Sequence, residues 1–160
     1  MRLLPTAVFA LATSLLASSA ARADRGCSAV NGPIVTTYTT DGCTSPVGVC
    51  TVGTAQLGRK AATTRFTALT ITPADPSGAV LLYTGELVIT TRKGSVTIHD
   101  AGVLNAATGE FFELQKVVGG TKSYKHATGL LTSQGTATGT GFSGTLTGEV
   151  CRVDDEGGRG

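Results

Sequence analysis

Residues 113–151 read ELQKVVGGTKSYKHATGLLTSQGTATGTGFSGTLTGEVC. Apolar and polar side chains roughly alternate through this stretch, and glycine-rich turns interrupt it. The Thr-Gly repetition at Thr136, Thr138, Thr140, Thr145 and Thr147 suits neighbouring antiparallel strands. A period of two sends successive side chains to opposite faces, whereas a helix needs apolar residues three and four apart, and no helix is readable here. The segment predicts two or three strands of a barrel or sandwich.

Working outward, runs rich in β-branched residues occur at 34–40 (IVTTYTT), 50–57, 62–72 (ATTRFTALTIT), 80–91, 95–104 and 110–118. Turn signals separate them: Asp41-Gly42, a 73–78 loop whose two prolines forbid ladder donation, Arg92-Lys93-Gly94, and residues 105–109. About eight short strands without a helix define an all-β chain, a small antiparallel barrel or a sandwich. A barrel has no exposed edges, and the 22 glycines suit the bends that closure requires.

Within the opening segment, Val117-Val118-Gly119-Gly120-Thr121 followed by Tyr124-Lys125-His126-Ala127-Thr128-Gly129 resembles the V-V-G-G-T-G-x-F-R-x-A-R-G signature of plant dirigent proteins. It is similar as well to the G-G-T-G-x-Y-x-G-A-x-G form of bacterial relatives of the allene oxide cyclase barrel. The likeness extends upstream to Arg59, since the strand, turn and strand over 83–105 fall where that fold has its central hairpin. Two positions depart: Lys122 stands in place of the third glycine and Thr128 in place of the plant arginine, so the plant activity does not carry over on these residues. The resemblance implies an eight-stranded antiparallel barrel whose lumen binds a small hydrophobic molecule. It further implies, for any reaction, a cyclase or isomerase that holds one conformer without a cofactor, and assembly as a dimer or trimer.

At the start of the chain, Arg2, the apolar run over 3–16 and Ala21-Arg22-Ala23 read as a secretory signal peptide, 1–23. The run falls short of the roughly 18 to 20 residues that span a bilayer. The expected organisation is a single barrel domain over 24–153 and a polar, disordered tail over 154–160, in a secreted or periplasmic protein with no membrane span once the signal is cleaved. Arg2 and Arg22 leave with the signal, so the 13 basic side chains of the full chain fall to the number of its 11 acidic ones. Without a basic excess, the counterion release that dominates nucleic-acid affinity is absent, which disfavours nucleic acid as a partner.

Cys27, Cys43, Cys50 and Cys151 all lie in the mature part, and an exported chain meets an oxidising compartment, so two disulfides are expected. Three connectivities are open. The short spacing of Cys43 and Cys50 suits a hairpin loop, which leaves Cys27 and Cys151 to tie the first strand to the last. No C-x-x-C pair or Cys/His cluster supports zinc.

Strand periodicity suggests the inward faces. Tyr83, Leu87 and Ile89 share one face of the central hairpin, and Val96, Ile98 and Asp100 share a face of the returning strand, with His99 opposite. Asp100 then has two readings: an acid among aliphatics, or the start of an Asp100-Ala101-Gly102 bulge at the rim, its carboxylate capping backbone amides. A lumen that steers an apolar substrate needs few polar groups, and Tyr83, Asp100, Glu113 and Tyr124 are the candidate catalytic residues.

Other chemistries lack their context. Gly139-Thr140-Gly141-Phe142-Ser143-Gly144 fits a dinucleotide fingerprint in letters, but a strand pattern follows where a helix is required. Residues 141–144 lack nucleophile-elbow spacing, and His99 and His126 read as exposed. Glu110, Glu113 and Glu149 read as solvated strand faces rather than glycosidase acids, in a chain without tryptophan to stack a sugar. Phe111, Phe112, Tyr124 and Phe142 read as core or barrel plugs.

Overall fold

The computed structural model describes residues 26–57 and 60–152. Its strands are β1 (Cys27–Tyr38), β2 (Cys50–Leu57), β3 (Lys60–Pro73), β4 (Val80–Thr91), β5 (Gly94–Asn105), β6 (Glu110–Gly120), β7 (Thr128–Thr138) and β8 (Gly141–Cys151). Each pairs antiparallel with the next, and β8 returns to β1, which closes an eight-stranded antiparallel barrel and removes the sandwich alternative. The signal peptide expected over 1–23 and the tail over 154–160 lie outside the described residues. Among the described residues no helix is long and apolar enough to cross a membrane.

β2 and β4 have the bounds read from sequence, and the glycine-rich segment supplies two strands, β7 and β8. β1 starts earlier than expected, at Cys27, because residues 27–33 pair with β8 alone. On the β2 side this part of the strand is an edge, where Pro33 is tolerated without an N–H. A single 3₁₀ turn, Lys122–Tyr124, links β6 to β7. Lys122 opens it at φ 51°, the left-handed conformation that glycine adopts without strain. The backbone thus keeps glycine geometry at the position where the resembled motif has its third glycine.

Both expected disulfides form. Cys27 and Cys151 are register partners on the first and last strands, and Cys43–Cys50 closes the loop between β1 and β2. The two bridges sit at opposite ends of the barrel.

Alternation holds along the hairpin: Tyr83, Leu87, Ile89, Val96, Ile98 and Asp100 are buried, and His99 is exposed. The lumen is chemically divided along its axis. Towards the Cys27–Cys151 end, Val30, Ile89, Val96, Val117, Leu146 and Val150 form a close-packed aliphatic core. Towards the other end, aromatic and polar side chains replace them. A bulge on β3 between Ala68 and Thr70 resets the alternation there and turns Ile71 into register with Tyr83.

Candidate functional site

Adjacent rows of inward residues across β4, β5, β6 and β7 build the polar part of the lumen. In one row Tyr83, Gly102, Glu113 and Ser133 are successive register partners; in the next stand Gly85, Asp100, Gln115 and Leu131. One glycine in each row makes room for a large side chain beside it. A Cβ on Gly102 would overlap the Tyr83 ring, and one on Gly85 would overlap the Phe66 ring. Those two rings meet edge to face with centroids 6.3 Å apart.

Glu113 is the hub. Its Oε1 accepts from the Tyr83 hydroxyl at 2.7 Å, and its Oε2 accepts from Gln115 Nε2 at 3.0 Å and from the Ser133 hydroxyl. The same Gln115 nitrogen donates to Asp100 Oδ2 at 3.0 Å. Asp100 Oδ1, Gln115 Oε1 and the Thr36 and Thr64 hydroxyls are buried with no hydrogen-bond partner. No lysine, arginine or histidine is buried among the described residues, so nothing on the lumen wall neutralises the two acids.

Burial and the nearby Glu113 raise the Asp100 carboxyl to about 8, against the lowering effect of Gln115. Burial raises Glu113 as well, while its three donors pull the other way. Three donors favour the anion of Glu113 and a single donor serves Asp100, so the proton held by the pair at neutral pH belongs on Asp100. Tyr83 is pushed far up by burial and by the Glu113 charge, and it stays a phenol.

A cavity of about 30 Å³ lies against this cluster, lined by Thr36, Asp100, Glu113 and Gln115 and by the Phe66, Phe111 and Phe142 rings. That volume holds one or two waters. Phe111 and Phe142 stack edge to face at 5.3 Å, and Tyr38 continues the series against Phe142 at 5.7 Å, which places an aromatic cover over this end of the lumen.

The structure therefore brings together Tyr83, Asp100 and Glu113. Tyr124 is elsewhere, in the 3₁₀ turn at the opposite end, packed partly against the aliphatic core. The rim reading of Asp100 is corrected: the β5–β6 irregularity falls at Thr97/Ile98, and Asp100 points inward at 4% exposure. Glu113 is buried rather than on a solvated face, while Glu110 and Glu149 are exposed as expected. Phe111 and Phe142 line the cavity, but Phe112 is 46% exposed on the outer wall because it sits on the opposite parity of β6. Gln115 and Ser133 complete the network and were not anticipated. Gln115 shares the inward parity of Glu113 and Val117, a signal present in the alternation of β6; Ser133 becomes visible only through its register with Glu113.

Comparison of the chain with protein-family models, with curated proteins and with solved structures finds no match.

Proposed function

We propose that this barrel binds a small, predominantly apolar molecule at the aromatic end of its lumen and holds the molecule's polar end against Asp100, Glu113 and Gln115. The carrying observation is the buried acid pair itself. Two carboxyls without a cation are an expensive way to fill a barrel, and groups so perturbed are concentrated at functional sites. The left-handed Lys122 in the resembled glycine motif supports a dirigent-like or allene-oxide-cyclase-like relationship. In an exported protein of that kind, a protonated Asp100 beside ionised Glu113 has the parts for cofactor-free isomerisation or cyclisation: an acid to donate, a base to accept, and walls that hold one conformer.

The cavity volume favours a second reading. Lumens that enclose ligands of drug size run to roughly 300 Å³ and more, so about 30 Å³ admits such a molecule only after Phe111 and Phe142 swing aside. A barrel that never opens would be a structural or interaction module of the cell envelope, acting through its outer wall or its oligomer.

Native mass spectrometry of the mature, disulfide-intact protein from its own export compartment, followed by denaturing release, separates the two. A reproducible small apolar adduct supports the binding site. No adduct, together with no uptake of a hydrophobic fluorescent probe, sinks it in favour of the filled module. If the ligand is turned over, Asp100→Asn is expected to abolish turnover in a folded protein, and unchanged turnover would remove Asp100 from the chemistry.

A further inference from the structure

We propose that the lumen site takes the primary ammonium group of a small alkylamine, with Asp100 Oδ1, Gln115 Oε1 and Thr36 Oγ1 receiving its three N–H donors and the alkyl chain leaving between Phe111 and Phe142. This rests on the lumen-binding reading above and adds the chemistry of the ligand's head.

The three oxygens are buried and lack partners, and their residues line one cavity. Gln115 is fully buried, and its Oε1, an acceptor only, has no hydrogen-bond partner, so an incoming donor would satisfy it. An ammonium carries three donors and no acceptor, matching three open oxygens, and its positive charge answers two acids beside which no lysine, arginine or histidine is buried among the described residues. A hydroxyl would leave acceptors unmatched, and a carboxylate would add a third negative group. Phe66, Phe111 and Phe142 line the same space, and aromatic rings favour a cation. A volume of about 30 Å³ suits an ammonium head and excludes a trimethylated one.

Without ligand, the Asp100 proton stands in for the ammonium. The groups facing Asp100 are Tyr83 from β4 and Glu113 from β6, while the remaining strands present Thr36, Thr51, Phe66, Ser133 and Phe142. With Asp100 near 8 and an alkylamine charged below about 10, binding at neutral pH displaces one proton, and affinity rises by up to tenfold per pH unit from 6 towards 8.

The test is calorimetric titration of the mature, disulfide-intact protein with n-hexylamine, n-hexanol and hexyltrimethylammonium at pH 7, in two buffers of different ionisation enthalpy. The expected result is hexylamine binding at least tenfold tighter than either comparator, with release of about one proton. Asp100→Asn should weaken the amine at least tenfold, and an amine affinity unchanged in that folded variant would overturn the contact of the ammonium with Asp100. Hexanol binding as tightly as the amine would overturn the ammonium head and keep the lumen site; binding of neither would overturn both. Tighter amine binding without proton release would overturn the displacement of the Asp100 proton. Should Asp100→Asn not fold, the comparison of ligands on the unaltered protein decides alone.

Discussion

Tyr83 on β4 and Glu113 on β6 are joined by a 2.7 Å hydrogen bond that passes over Gly102 of β5, the register partner of both. The absence of a side chain at residue 102 is what permits the bond. Gly102→Ala is expected to displace the Tyr83 ring and destabilise the protein by about 1–3 kcal/mol from overpacking alone. Tyr83→Phe, which deletes one donor to a buried carboxylate, should cost about 1–3 kcal/mol. Because both changes break the same contact, their combination should fall short of the sum in denaturant unfolding. Strict additivity would show that Gly102 does not act through Tyr83.

Stability should fall as pH rises from about 4 towards 8. The Asp100 carboxyl titrates higher in the folded protein than in the unfolded chain, so over this window the native state keeps a proton that the unfolded chain has released. The contribution is fully present below the unfolded value and is lost as pH passes the folded one, with a limiting slope of about 1.4 kcal/mol per pH unit. Asp75 works the other way: hydrogen bonds from Ser77 and Val80 lower it, and its effect falls below pH 4. Urea unfolding across pH 4.5–8.5 measures the slope, and Asp100→Asn should flatten it. An unchanged slope in that variant would assign the proton to Glu113.

Lys122→Gly is expected to stabilise the protein by about 1 kcal/mol, because a left-handed residue with a Cβ is strained by roughly 1–2 kcal/mol and glycine's greater unfolded-state entropy returns part of the gain. Thermal unfolding reads the change directly. A lower melting temperature would mean that the Lys122 side chain makes a contact worth more than the strain.

The two disulfides should contribute unequally. Cys27–Cys151 spans 124 residues and Cys43–Cys50 spans 7, which on loop entropy corresponds to about 5 and about 2 kcal/mol. Paired serine substitutions, C27S/C151S against C43S/C50S, should separate in that order in guanidinium unfolding. Equal losses would show that pairing between β1 and β8 already holds the ends together in the unfolded ensemble.

Much is legible along the chain: the all-β class, most strand bounds, the inward parity of Tyr83, Ile98 and Asp100, and the fit of Cys43 and Cys50 to one short loop, which is one of three open connectivities. Each of these is local: a period of two, a turn residue, a spacing of cysteines. The remainder is lateral and belongs to the closed barrel. Closure of β8 on β1, the start of β1 at Cys27, the placing of Gly102 beneath the Tyr83 ring and the meeting of Ser133 with Glu113 all depend on register between strands, which a single strand's pattern does not encode. Asp100 was ambiguous for the same reason: a carboxylate at a strand's inward parity is a rim cap or a lumen acid according to how far along the barrel its neighbours carry it. Tyr124 is a lumen candidate on side-chain direction and chemistry, and the chain path through the 3₁₀ turn puts it at the other end.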